Sequence, residues 1–106
     1  MAQPKYKIIL PKSKAQFESE LQNIFKKNPN LHYIFRVFEN YILLEELSEL
    51  LLKYQDKIMK FKKNKSMVVL IEDIDYEQIP EFMSVAPTEE EAVDIIDFEE
   101  IERDFF

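Results

Sequence analysis

The chain has 106 residues, a net charge of −7 and a hydrophobic fraction of 46%, and it contains neither glycine nor cysteine. That length provides for one domain with one core, and that hydrophobic fraction is ordinary for a globular protein, so wholesale disorder is not expected. The missing glycine excludes a phosphate-binding loop, a dinucleotide fingerprint and a nucleophile elbow, and the missing cysteine excludes disulfides and thiolate chemistry.

The first third of the chain predicts a strand, a helix and a second strand. Lys5 to Leu10 reads as a short strand. Ser13 and Gln16 form a capping-box pair, and apolar residues then recur at helical spacing, which predicts an amphipathic helix over Lys14–Lys27. An Asn-Pro-Asn run ends this helix, and the aromatic and β-branched segment from Leu31 to Phe38 predicts a largely buried strand.

The stretch from Asn40 to Asn64 is the longest apolar-periodic run in the chain. It predicts one helix of about twenty residues, roughly 30 Å long, which would cross the whole domain. On its outer face Leu52 and Met59 stand seven residues apart and form a candidate contact surface for a partner or a second copy. The predicted core stripe comprises Leu43, Leu47, Leu50, Leu51, Tyr54, Ile58 and Phe61.

Charge is unevenly distributed along the chain. Residues 1–66 hold 13 of the 14 Lys and Arg and 7 acidic residues, whereas residues 67–106 hold 14 acidic residues and Arg103. The split is compatible with a basic face for nucleic acid or with two parts of the fold that attract each other. Nucleic-acid binding is the less favoured interpretation, since the densest lysine cluster complements the dipole at the end of the long helix. That cluster comprises Lys60, Lys62, Lys63 and Lys65.

The last third of the chain predicts two strands and a helix. Met67 to Ile71 predicts the most continuous buried strand, Asp73 to Glu81 a turn or a single helical turn, and Phe82 to Ala86 a short edge strand. Thr88 and Glu91 form a second capping box, which opens the final helix.

The final helix carries two apolar stripes on nearly opposite sides. Ala92, Val93, Ile95 and Ile96 share one face, whereas Phe98, Ile101 and Phe105 point away from it. Either the helix breaks near Asp97 and residues 98–106 fold back on the domain, which is the simpler expectation, or the end is a segment that docks in the groove of a partner.

No catalytic, cofactor-binding or metal-binding site is expected. His32 is the single histidine, and a buried, hydrogen-bonded role is expected for it rather than metal ligation. The carboxylates of Glu72, Asp73 and Asp75 lack the glycine of a calcium-binding loop, and a solvated turn is expected there. Without a signal peptide pattern or an apolar run of membrane-spanning length, a cytoplasmic protein is expected. A protein that is not an enzyme is also expected, since the sequence contains no recognisable catalytic arrangement.

The order of these elements resembles the STAS domain, named for sulfate transporters and anti-sigma-factor antagonists. The second half is similar to short STAS-like chains of the Bacteroidetes, through the motifs D-x-x-x-x-P from Asp75, P-T-x-x-E-A-x-D-I-I from Pro87, and E-E-I-E-R-D from Glu99 to Asp104. The resemblance implies a single α/β domain over residues 1–106, with a small mixed sheet of about four strands packed with amphipathic helices, and residues 98–106 as a tail or docking segment.

The resemblance also implies a regulatory or scaffolding protein–protein interaction module. In the family, a phosphorylated serine at the start of the helix after the central strand switches partners. Here that place is Phe38 to Leu47, which has no serine. Glu45 and Glu46 stand there instead, either as a permanent charge or, more simply, as helix-dipole capping. The partner-binding candidates are Glu39, Asn40, Tyr41, Glu45, Glu46, Leu52, Met59, Phe98, Ile101 and Phe105.

Some chains of this group carry the name ribonuclease Z, which is a two-metal hydrolase. One histidine cannot build that site. The alternative function is therefore an accessory factor in tRNA 3′-end processing by such an enzyme, and the nuclease itself is the remotest alternative. The accessory role predicts a connected basic face that binds RNA or the nuclease.

Overall fold

Every pair of neighbouring strands in the sheet is parallel. The computed structural model describes residues 6–72 and 76–105, apart from the side chain of Tyr76. The spatial order of the strands is their order along the chain, β1-β2-β3-β4. The predicted α/β class with four strands is confirmed, but the sheet is parallel throughout rather than mixed. The strands are β1 (Tyr6–Ile9), β2 (His32–Arg36), β3 (Met67–Leu70) and β4 (Ser84–Ala86).

Five helical segments accompany the described strands. They are α1 (Lys14–Lys27), α2 (Leu44–Lys53), α3 (Gln55–Phe61), a 3-10 turn (Tyr76–Gln78) and α4 (Glu89–Phe105). The prediction for α1 is confirmed at both ends. The N–H of Gln16 donates to Oγ of Ser13 at 3.1 Å, and Asn28 ends the helix in the left-handed region with φ 46°, a conformation that asparagine tolerates.

The prediction of a single long helix is wrong, because the helix is interrupted at Tyr54. This residue has φ −104° and ψ 17° and separates α2 from α3. Neither proline nor glycine lies there, but the Tyr54 hydroxyl is anchored on α1, donating to Glu18 at 2.7 Å and accepting from Gln22 at 2.8 Å. The predicted stripe is buried apart from Leu43, which is 62% exposed because it precedes the first turn.

Helices pack on both faces of the sheet. Alternation along β2 sends Tyr33 and Phe35 to one face and Ile34 to the other, as the two-residue period of a strand requires. The first face packs against α1, α2 and α3, with the ring of Phe17 stacked on Phe35 at 4.4 Å. The second face packs against α4. Among the described residues, no helix is long and apolar enough to cross a bilayer.

Helix α4 is continuous from Glu89 to Phe105, so the expected break near Asp97 is wrong. Its start is confirmed, since the N–H of Glu91 donates to Oγ1 of Thr88 at 3.1 Å. The edge position predicted for the last strand is also confirmed. Several sequence predictions concern residues outside the described part of the chain, namely Lys5, Asp73, Asp75 and Phe106.

Candidate functional site

A cluster of polar side chains joins the amino-terminal ends of β2, β3 and β4 to the second half of α4. At its centre His32 is 1% exposed. Its Nδ1 accepts a hydrogen bond from the N–H of Ser66 at 2.8 Å, and its Nε2 lies 2.6 Å from Oε1 of Glu100. Because Nδ1 accepts, the ring proton is on Nε2 and is donated to Glu100. The expected buried, hydrogen-bonded histidine is what the structure contains.

Glu99 forms the second half of this cluster. Its two carboxylate oxygens accept from the hydroxyls of Ser66 at 2.6 Å and Ser84 at 2.7 Å. The guanidinium of Arg103, one turn further along α4, donates to Oγ of Ser66 at 2.9 Å and to the carbonyl of Lys62 at 3.2 Å. These bonds connect α4 to the ends of α3 and of two strands.

Lys62 is the remaining member of the cluster. Its ammonium donates to the carbonyl of Phe82 at 2.6 Å and to Oγ of Ser84 at 3.1 Å. Burial lowers the pKa of Lys62, and the nearby carboxylate of Glu99 partly opposes that shift. The cluster therefore holds charges of both signs in hydrogen-bonded positions.

The geometry of the cluster is that of a tether rather than a nucleophilic centre. His32 bonds to the backbone N–H of Ser66, whereas the Ser66 hydroxyl donates to Glu99, so the imidazole cannot take the hydroxyl proton. The cluster also lies at the amino edge of the strands, whereas ligands of parallel sheets bind beyond the carboxyl ends. Within residues 6–72 and 76–105, no three acidic or histidine side chains group as they would around a metal ion.

The predicted switch position lies at the carboxyl edge of the sheet, after β2. Glu39, Asn40, Tyr41 and Glu45 are exposed, and the Tyr41 ring meets Phe38 edge-on at 6.1 Å. Glu46 is half-buried, and its Oε1 accepts from the N–H of Leu43 at 3.2 Å, so it caps the start of α2. Of the two glutamates, Glu45 is the one that faces solvent.

The two outer residues of the long apolar run lie on separate helices. Leu52 on α2 is 53% exposed and Met59 on α3 is 48% exposed, as predicted for this face. The break at Tyr54 lies between them, and the amide of Gln55 donates to Sδ of Met59 at 3.8 Å. They do not extend one continuous stripe.

The apolar residues near the end of α4 form an exposed stripe. Phe98 is 62% exposed, Ile101 54% and Phe105 77%. They lie on the side of α4 opposite Ala92 and Ile96, which pack on the sheet. We call these three residues the α4 stripe. Exposed acidic residues surround it, namely Asp94, Asp97, Glu102 and Asp104.

A lysine-rimmed groove lies between the end of α1 and α3, on the first face of the sheet. It has a volume of ≈ 440 Å³. Phe25 and Phe61 form its floor, with ring centroids 6.5 Å apart. Lys26, Lys57, Lys60 and Lys65 line it together with the amides of Gln22, Asn28 and Asn64, and none of the described acidic residues lines it. We call it the basic groove.

Sequence reasoning placed the candidate residues in three separate regions and missed two features. It assigned the late lysines to the helix dipole, and they converge with Lys26 only because α1 packs beside α3. It also missed the cluster around Glu99, Glu100 and Arg103. The signal was present in the E-E-I-E-R-D run, whose polar residues at positions 99, 100 and 103 share one helical face.

Comparison of the chain with protein-family models, with curated proteins and with solved structures finds no match.

Proposed function

We propose that this chain is a non-catalytic regulatory or scaffolding module of the STAS-like type, which binds another protein through the α4 stripe. The observation that carries the proposal is the exposure of Phe98, Ile101 and Phe105 on one side of a continuous helix. Aromatic and aliphatic residues at i, i+3 and i+7 are the anchors that a helix inserts into a partner's groove.

The charge around the stripe defines the chemistry of the partner. Helix α4 contains nine acidic residues and a single arginine. A partner with an apolar groove and a basic rim is complementary to such a surface, because opposite charges at the rim favour association and orientation. The proposed partner is therefore a protein with a groove of that kind.

The cluster at the amino edge supports the proposal, because it holds the helix in place without using the stripe. Glu99, Glu100 and Arg103 face the sheet while the three apolar residues face solvent. A helix that is already ordered loses little conformational entropy on binding, which favours affinity.

The test begins with capture of partners from an extract of the cells that make the protein. Each captured protein is then purified and titrated against the full chain and against the Phe98→Ala, Ile101→Ala, Phe105→Ala variant. We expect binding to weaken at least about tenfold, in line with the loss of anchor residues. A matched variant at exposed apolar residues outside the candidate surfaces, Ile8→Ala with Leu10→Ala, should bind as the wild type does. Equal binding by wild type and the stripe variant would contradict the proposal.

The basic groove favours a second candidate, an accessory factor in RNA processing at tRNA 3′ ends. Four lysines along one groove are the kind of surface that tracks a phosphate backbone. The test is fluorescence anisotropy with a single-stranded oligoribonucleotide at several salt concentrations. This candidate predicts binding that weakens steeply with salt and is lost in Lys57→Glu with Lys60→Glu.

A further inference from the structure

The α4 stripe and the basic groove are complementary surfaces of one chain. The stripe offers aromatic and aliphatic side chains among carboxylates, and the groove offers an aromatic floor within a rim of ammonium groups. Its volume of ≈ 440 Å³ falls in the range of pockets that enclose a ligand, so it has room for one or two large side chains.

The two surfaces do not meet within one chain. Helix α4 packs on β3 and β4 from the second face of the sheet, whereas α1 and α3 cover the first face. The hydrogen bonds of Glu99, Glu100 and Arg103 fix α4 in that position, and Phe105 at its end stays 77% exposed. A chain can therefore offer its stripe only to another molecule.

We propose that the occupant of the basic groove is the α4 stripe of a second copy of this chain. The inference rests on the proposed function and names the partner. Because the stripe and the groove are different surfaces, each copy can offer its stripe to one neighbour and its groove to another, and two copies can also occupy each other's groove as a two-fold dimer. Such contacts build open chains of molecules, or a ring where the rotation closes.

The groove fits a helix of this chain better than it fits RNA. Proteins that bind single strands stack successive bases on several aromatic faces. Here Phe61 is 7% exposed and Phe25 is half-buried, which leaves aromatic surface for one apolar side chain rather than for a row of bases. An apolar side chain of the α4 stripe can pack on the aromatic floor of the groove, and the carboxylates beside it can pair with the lysines of the rim.

The test is a complementation experiment with two variants whose changes lie on exposed residues. The first variant, Ile101→Asp with Phe105→Asp, lacks the stripe. The second, Lys57→Glu with Lys60→Glu, lacks the rim. We expect the average mass of the wild type to rise with protein concentration in sedimentation experiments. Each variant alone should associate at least about tenfold more weakly, whereas an equimolar mixture should form a dimer and nothing larger. One intact stripe and one intact groove remain in that mixture.

Several outcomes would overturn the inference. These are a monomeric wild type at every concentration, a mixture of the two variants that stays monomeric, and variants that assemble as the wild type does. Binding of an oligoribonucleotide that the groove variant abolishes, with self-association unchanged, would assign the groove to RNA instead. The control is Lys7→Glu with Lys12→Glu, which changes the charge by the same amount at exposed lysines outside the groove and should assemble normally. A monomeric wild type whose stripe still binds a different purified protein would overturn this inference alone and leave the proposed function standing.

Discussion

Nε2 of His32, the first residue of β2, lies 2.6 Å from Oε1 of Glu100 in the second half of α4. This bond joins positions 68 residues apart. On its other side the imidazole accepts from the N–H of Ser66, so a single ring connects the starts of two strands to the covering helix. The end of α4 is thus positioned by part-buried polar bonds, and this arrangement has measurable consequences.

Replacing the histidine should destabilise the fold more than neutralising its partner. His32→Ala leaves the buried N–H of Ser66 without its acceptor and opens a cavity, so we expect a loss of about 2–4 kcal/mol in the free energy of unfolding. Glu100→Gln keeps an acceptor for Nε2 and should cost less than about 1 kcal/mol. Urea denaturation of both variants checks this, with the exposed Glu102→Gln as control. Equal losses in the two variants would contradict the tether.

Shortening the chain should unfold or weaken it, whereas trimming the stripe should not. A chain that ends at Asp97 loses Glu99, Glu100 and Arg103, and it leaves the hydroxyls of Ser66 and Ser84 without the carboxylate they bond. We expect a loss above about 3 kcal/mol, because several buried polar groups lose partners together.

The matched full-length variant is Phe98→Ala with Ile101→Ala and Phe105→Ala. Its free energy of unfolding should lie within about 0.5 kcal/mol of the wild-type value, as is usual for changes at exposed positions. Thermal and urea unfolding distinguish the two variants. Similar losses in both would mean that the stripe contributes to the core of its own domain. Point substitution, rather than truncation, is therefore the appropriate probe of partner binding.

The contact between α1 and the break at Tyr54 should respond to acid. The pKa of the Glu18 carboxyl is lowered, first by the hydrogen bond from Lys53 and then by that from Tyr54. The unfolded chain therefore binds more protons at this site at acidic pH. The stability that Glu18 contributes is present above the ordinary pKa of glutamate, and it is lost as the pH falls through the lowered value.

We therefore expect Glu18→Gln to be less stable than wild type near neutral pH and the difference to shrink as the pH is lowered through that window. Urea midpoints measured across the acidic range test this, with Glu20→Gln on the same helix as control. A difference that stays constant at every pH would rule out the carboxylate as its source.

The two glutamates at the start of α2 should differ in their effects on stability. Glu46→Ala removes the acceptor for the N–H of Leu43 and should cost about 0.5–1.5 kcal/mol. Glu45→Ala removes an exposed charge near the helix start and should cost less than about 0.5 kcal/mol. Thermal unfolding measures both. If Glu45 acts in place of a phosphoacceptor, Glu45→Ala should change binding of a purified partner without changing stability.

Features encoded by neighbouring residues were predictable from the sequence. The bounds of α1 follow from the Ser13 cap and from the Asn-Pro-Asn stop, and both act over a few residues. The buried strand at Met67 was predictable because its run of apolar, β-branched residues is continuous. The exposure of Leu52 and Met59 likewise followed from helical periodicity.

Features set by distant contacts were not predictable in the same way. The apolar pattern runs without interruption through Tyr54, yet the helix breaks where that hydroxyl meets Glu18, a residue 36 positions earlier. The same limit applies to the parallel pairing of all four strands and to the basic groove, since both depend on which elements become neighbours. The continuity of α4 was missed because polar rather than apolar residues bind its second half to the sheet.

The last two turns of α4 invert the usual arrangement of a surface helix, with glutamates and an arginine inward and phenylalanines outward. Substitutions on the outward side change the surface without loss of folding, whereas substitutions on the inward side remove bonds that stabilise the fold. The specificity of this surface can therefore diverge among descendants of one ancestral chain while the scaffold stays the same.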